Sequence, residues 1–223
     1  MSLKIKWMGW ANFVVESGKE VIAFDPFFES DKKADVIFIS HGHPDHCDKQ
    51  AIESLKNENT VFVTNNSVAK QMNFGDVSVL NTGDKKKIRN LNVEAVYAYN
   101  LNIPNHQKGV DTGFIVEFGG KRIYHTGDSD LTDEMKNVKN IDVLFLPVGG
   151  TFTMGTDMGL EAIKSIKPKI VIPMHYGEID VVFGGEKMHL KLDADVGAFK
   201  KKVESETATK VFVVKPGQEI EIN

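Results

Sequence analysis

Apolar residues recur at every second position or in short runs through the first quarter of the chain, at Leu3 to Met8, Asn12 to Val15, Val21 to Asp25 and Asp35 to Ser40. A period of two, with turn residues between the runs, predicts β-strands, because successive side chains on a strand face opposite sides of the sheet. The spacing then changes. Lys49 to Lys56 and Ser67 to Met72 carry apolar residues at helical intervals, between strands predicted at Thr60 to Thr64 and Val77 to Asn81. Period two returns over Leu91 to Tyr99 and Thr112 to Phe118, and Gly119-Gly120 predicts a hairpin turn into Arg122 to Thr126. A buried strand follows at Ile141 to Pro147, then a helix at Asp157 to Ile166 stopped by Pro168, and a strand at Lys169 to Met174. A helix at Ala194 to Val203 and strands at Val211 to Val214 and Glu219 to Ile222 close the pattern.

Twice, then, a β-rich block passes into alternating helices and strands. No Ser/Pro/Gly-rich linker divides the chain, so a single domain over residues 1–223 is expected. Two mixed sheets packed face to face, with helices covering their outer faces, would bury every apolar face in this order. The predicted fold is an α/β, four-layer αββα sandwich.

Composition narrows the function classes. Hydrophobic residues at 41% and charged residues at 26% are ordinary globular usage. A formal net charge of -4, with Lys and Arg dispersed, offers no basic field to a phosphate backbone, so no nucleic-acid partner is expected. Apolar runs such as Ile141 to Val148 fall far short of the roughly 20 residues that cross a bilayer, and no membrane association is expected. The start, Met1-Ser2-Leu3-Lys4-Ile5-Lys6, lacks a signal peptide's apolar core, and the single Cys47 permits no internal disulfide. A cytoplasmic location is expected, and a homo-oligomer is compatible with the sequence.

The chemistry concentrates where the strand ending at Ser40 stops, in His41-Gly42-His43-Pro44-Asp45-His46. Neutral imidazoles and a carboxylate together suit a divalent metal such as zinc, iron or nickel. Gly42 and Pro44 interrupt regular structure and leave a loop in which alternate side chains converge. His41 and His43 could share one ion, with Asp45 and His46 facing a second. Four residues do not complete two shells, which demands further donors at strand ends. His106, Asp128 in His125-Thr126-Gly127-Asp128 and His175 after Met174 stand at such places. Alone, each also reads as a loop histidine, a turn residue and a strand-end cap; together they match the demand.

With these residues in place the chain resembles the metallo-β-lactamase superfamily, whose HxHxDH run appears here as HGHPDH. More narrowly, Leu146 to Gly155, Glu161-Ala162 and Pro173-Met174-His175-Tyr176-Gly177 are similar to small metal-dependent hydrolases related to L-ascorbate-6-phosphate lactonase. The resemblance extends from Gly9 and the Asp25-Pro26-Phe27 turn to the His175 loop. It implies that His41, His43 and His106 hold one metal, that Asp45, His46 and His175 hold a second, and that Asp128 bridges them. Asp45, and the absence of an acidic residue at position 43, speak against the di-iron flavoprotein branch.

The expected cofactor is two divalent ions, zinc first, with manganese, iron or nickel also suited to the donor set. The expected function is hydrolysis of an ester, lactone or phosphodiester bond in a small molecule by hydroxide bridging the two metals, oriented by Asp45. Loops Gly149 to Thr156 and Gly177 to Lys187 are expected to rim the substrate, with Gly150, Thr151, Phe152, Met154 and Phe183 as contacts. Cys47 reads as a small buried packing residue, and His125 and His189 as residues behind the ligands or on the surface. The competing reading is a non-catalytic metal-binding or sensory module that retains the ligand set; an iron redox role is a third. No G-x-S-x-G or G-x-G-x-x-G pattern supports a serine hydrolase or a dinucleotide site.

Overall fold

The computed structural model describes residues 2–72 and 74–223. In chain order the first half runs β1 (Leu3–Gly9), β2 (Asn12–Ser17), β3 (Glu20–Phe24), β4 (Val36–Ile39), α1 (Lys49–Leu55), β5 (Val61–Thr64), α2 (Asn66–Gln71) and β6 (Asp76–Val79). The middle comprises β7 (Lys85–Ile88), β8 (Leu91–Tyr97), β9 (Thr112–Phe118), β10 (Lys121–His125), α3 (Asp133–Lys136), β11 (Val143–Pro147), α4 (Thr156–Ile166) and β12 (Ile170–Met174). Then come β13 (Gly177–Phe183), β14 (Glu186–Leu192), α5 (Val196–Glu206), β15 (Lys210–Val211) and β16 (Glu219–Ile222).

These strands form two seven-stranded sheets, ordered β16-β1-β2-β3-β4-β5-β6 and β15-β12-β11-β10-β9-β8-β7, and a separate β13-β14 hairpin. Each large sheet begins as an antiparallel meander and continues as parallel strands. Most of the crossovers between those parallel strands run through helices, as parallel pairing demands.

The side-chain period of two separates the layers. In β4, Val36 and Phe38 face the interior between the sheets, while Ile37 and Ile39 pack outward with Ile52 and Leu55 of α1. Phe114, Val116 and Phe145 of the second sheet meet Phe13, Phe24 and Phe38 of the first, and the Phe13 and Phe145 rings stack with centroids 3.8 Å apart. On the far side, Leu144 and Leu146 pack against Leu160, Ile163 and Ile166 of α4 and Phe199 of α5. Helix α4 ends where Lys167 turns left-handed, φ 56°, ahead of Pro168. The layer order is therefore helix, sheet, sheet, helix, as the pattern predicts. Among the described residues no helix is long and apolar enough to cross a membrane.

Three features depart from the expectation. The segment Val211 to Val214 contributes only Lys210–Val211 to a ladder. Strand β7, with the sequence Lys-Lys-Lys-Ile, pairs at the sheet edge, where its lysines remain exposed. The predicted rim loop Gly177 to Lys187 belongs instead to a regular hairpin, turned by Gly184 and Gly185 at φ 58° and 91°.

Candidate metal centre

Strands β4, β10 and β12 end at one rim of the sandwich and deliver the polar side chains there. Beyond β4, His43 O accepts from His46 N at 3.0 Å, closing a turn with Pro44 in its second position, where the fixed φ of proline suits the geometry. The turn points Asp45 and His46 back toward His41. His106 comes from the β8–β9 connection, Asp128 follows β10, and His175 follows β12 with φ 56°. A non-glycine residue rarely adopts that backbone; Trp10 at 52° and Asp25 at 42° share the strain and also surround the site.

All seven predicted donors meet. One donor atom from each of His41, His43 and His106 lies within 4.8 Å of the others, and the same holds for Asp45, His46 and His175. Asp128 sits between the two groups: its Oδ2 is 2.9 Å from His175 Nε2, 3.3 Å from His46 Nε2 and 3.5 Å from His106 Nε2. His41 Nε2 and His43 Nδ1 approach to 3.0 Å.

A second layer aims these rings. Ser40 Oγ donates to Asp25 Oδ2 at 2.6 Å, so it accepts from His41 Nδ1 at 2.9 Å and leaves the Nε2 lone pair of His41 facing the site. Asp25 Oδ2 also accepts from His46 Nδ1 at 2.8 Å, and Asp111 Oδ2 accepts from His106 Nδ1 at 2.9 Å. Trp10 Nε1 donates to Asp45 Oδ2 at 2.8 Å. Carboxylates behind imidazoles fix the tautomer and raise ligand basicity in metal sites. Asp25, Ser40, Asp111 and Trp10 thus complete a shell that the sequence reading did not assign.

Whether these residues fit a metal is decided by the atoms left over. Asp45 Oδ1, Asp128 Oδ1, His46 Nε2 and both ring nitrogens of His175 are buried without a hydrogen-bond partner. Such groups are costly unless something satisfies them, and the unpartnered atoms of Asp45, His46, Asp128 and one ring nitrogen of His175 point to positive charge held among them. His175 Nε2 illustrates the point: it lies 2.9 Å from a carboxylate oxygen yet lacks hydrogen-bond geometry toward it. Two ligands of one cation approach each other in this way. The donor set fits divalent cations.

Protonation follows the same layout. Burial first, then the neighbouring His46, hold His41 well below the usual imidazole value. Burial and His106 lower His43. Burial opposes charge on His46, but Asp128 and Asp45 outweigh it and raise its pKa. Burial likewise opposes charge on Asp128, yet His175 and His46 keep it well below the usual carboxylate range.

Five of the seven donors, His43, Asp45, His106, Asp128 and His175, floor a cavity of about 340 Å³ whose other lining residues are Asn105, Phe152, Phe183, Met188 and Leu190. Of the predicted substrate contacts, Phe152 and Phe183 line it, and Phe183 sets its ring against His43 with centroids 5.6 Å apart. Gly150 and Thr151 form the turn before α4 and lie outside the lining. Met154 is a correction: it is completely buried in the outer core with Leu160 and Ile163, because the chain must fold inward before entering α4. Met188 and Leu190 were missed; their alternation along Glu186–Leu192 is the strand signal that places both on the cavity side.

Sequence comparison decides the family. Residues 4–175 match the β-lactamase superfamily domain. The chain belongs to this superfamily and has the metallo-β-lactamase fold. It is 31% identical over 242 residues to a metal-dependent hydrolase of Archaeoglobus fulgidus, covering 99% of this chain and 100% of that one. A metal-dependent hydrolase of Nanoarchaeum equitans is 33% identical over 233 residues, covering 99% and 100%. Igni18, a metallo hydrolase from Ignicoccus hospitalis, superposes with a TM-score of 0.80 at 28% identity, covering 100% of this chain and 99% of that one. The protein is accordingly a metal-dependent hydrolase of the β-lactamase superfamily with His/Asp clusters able to hold metal.

Other candidates fall outside the superfamily site's donor set. Cys47 is buried with Ile52 and Leu55, and burial, aided by Asp25 and Asp48, pushes its thiol up to about 12, which removes it as a nucleophile. His125 is buried behind the site: its Nδ1 accepts from Gly127 N at 3.1 Å, so its Nε2 donates to Ala11 O at 2.9 Å. His189 pairs with Asp180 at 2.8 Å on the exposed face of the β13–β14 hairpin.

Proposed function

We propose that this chain is a binuclear metal-dependent hydrolase that cleaves an ester, lactone or phosphodiester bond of a small molecule. His41, His43 and His106 would hold one divalent ion, Asp45, His46 and His175 a second, and Asp128 would serve both. The observation that carries this reading is the convergence of two donor groups, His41, His43 and His106, and Asp45, His46 and His175, each within 4.8 Å, on Asp128 beside an open cavity. Bound there, divalent ions supply Lewis acidity toward water and toward the substrate's oxygen.

The chain's own residues do the rest. Trp10 fixes Asp45 through Oδ2, and the Asp45 carboxylate, which lines the cavity, would accept a hydrogen bond from the attacking water and so orient it. Asp25, through Ser40 and directly, holds His41 and His46 in the tautomers that face the site; Asp111 does the same for His106. Phe152 and Phe183 narrow the access of bulk water and strengthen the polar interactions beneath them.

The test pairs metal content with turnover. Chelation should abolish hydrolysis across a panel of esters, lactones and phosphodiesters, and zinc or manganese should restore it. His43→Ala should lower bound metal and rate together. A chain that holds two metals yet is inert on the whole panel would establish a non-catalytic metal-binding module instead.

A further inference from the structure

The cavity wall above the donors has a composition of its own. In the β13–β14 hairpin, Ile179 pairs with Leu190, Val181 with Met188 and Phe183 with Glu186, so five apolar side chains share one face, with Glu186 beside the turn at its end. The opposite face carries Glu178, Asp180, Val182, Lys187, His189 and Lys191, with ion pairs such as Lys191–Glu178 at 2.9 Å. The hairpin is therefore amphipathic across its thickness, and its apolar face supplies Phe183, Met188 and Leu190 to the cavity, opposite Phe152. Beyond the donors of the floor, Asn105 is the polar residue that lines it; none of the lining residues is a lysine or arginine. Met188 remains 43% exposed, which makes it a side chain available to a ligand rather than one spent on the core.

Charge recognition needs a counter-charge. A phosphate or carboxylate remote from the reacting bond would have to shed water against Phe152, Phe183, Met188 and Leu190 with no Arg or Lys to receive it. Cations held by the floor donors would answer charge best at the bond being cleaved and less along the apolar wall. The net charge of -4 gives anions no general attraction either. At about 340 Å³ the cavity stands at the small end of ligand pockets, which run from roughly 300 to 1,000 Å³.

We propose that the substrate is an uncharged ester or lactone whose short apolar acyl chain seats between Phe152 and the Phe183, Met188 and Leu190 face of the hairpin. The proposal rests on the hydrolase reading above and narrows its substrate class. In the reaction the acyl carbon–oxygen bond breaks, the oxygen of one water joins the acyl carbon, one of that water's protons goes to the alcohol oxygen, which leaves from an ester and stays attached as a hydroxyl in an opened lactone, and the other stays with the acid.

The test uses 4-nitrophenyl esters, which share a leaving group. For the zinc-loaded full chain, kcat/KM should rise about fourfold per methylene from acetate through butyrate to hexanoate, until the cavity is filled. Butyrate should exceed the monosuccinate ester, which ends in a carboxylate, by more than tenfold. Met188→Lys should raise the succinate-to-butyrate ratio at least tenfold. Ligand-detected NMR on the metal-free chain should show methyl hexanoate contacting the protein and losing that contact in Met188→Lys. A flat chain-length series, a preference for the succinate ester, or faster cleavage of bis(4-nitrophenyl) phosphate would overturn the substrate class while leaving the hydrolase reading intact. Inertness on every ester, lactone and phosphodiester would overturn that reading and the proposal with it.

Discussion

Asp25 accepts two hydrogen bonds on one oxygen, from Ser40 Oγ at 2.6 Å and His46 Nδ1 at 2.8 Å, and through them governs two rings of the metal centre. An amide in its place would present the same shape with half the acceptor capacity. Asp25→Asn should therefore lower metal affinity by roughly 10- to 100-fold although every proposed ligand remains, measured by competition with a chromophoric chelator. Unchanged affinity would remove Asp25 from the account. The seven proposed donors were legible because imidazoles and carboxylates at strand ends are conspicuous in a sequence. Asp25 lies 21 residues before His46 and Asp111 stands in a polar loop, so their roles emerge only when the sheets are assembled. Met154 was misread for the converse reason: proximity in sequence to a rim turn says nothing about which way a side chain points.

Backbone approach limits the elements that carry these side chains. Where β11 and β12 end side by side, a Cβ on Gly149 would sit 2.1 Å from the carbonyl oxygen of His175, a distance no real pair adopts. Gly149→Ala should displace the His175 segment, cost on the order of 1–3 kcal/mol of stability and reduce bound metal. Thermal melts together with metal analysis would check this; wild-type values for both would contradict the placement of His175. Most strands and helices were readable from apolar period or from short apolar runs, the latter marking strands such as β4 and β11 that are buried on both faces. The β13–β14 hairpin was not, because its outward positions are charged and its glycines suggest a loop. Strand β7 was hidden by three lysines, whose side chains suit an exposed edge but carry no apolar alternation.

At the scale of the molecule, the proposed centre joins the two sheets. His41, His43, Asp45 and His46 follow β4 of the first, whereas His106, Asp128 and His175 follow strands of the second. Metal bound across that seam stabilises only the folded chain. At about 1,000 times its dissociation constant each ion contributes roughly 4 kcal/mol, or about 10 °C in melting temperature for a chain of this size. Calorimetry of chelated and zinc-saturated protein should show that shift, and coincident melts would argue against a metal at the seam.

The measurement closest to the central claim is anomalous diffraction from crystals of the zinc-loaded protein, recorded at the zinc absorption edge. The account predicts two peaks, one among His41, His43 and His106 and the other among Asp45, His46 and His175, both in contact with Asp128. A single peak, or peaks away from these side chains, would contradict it.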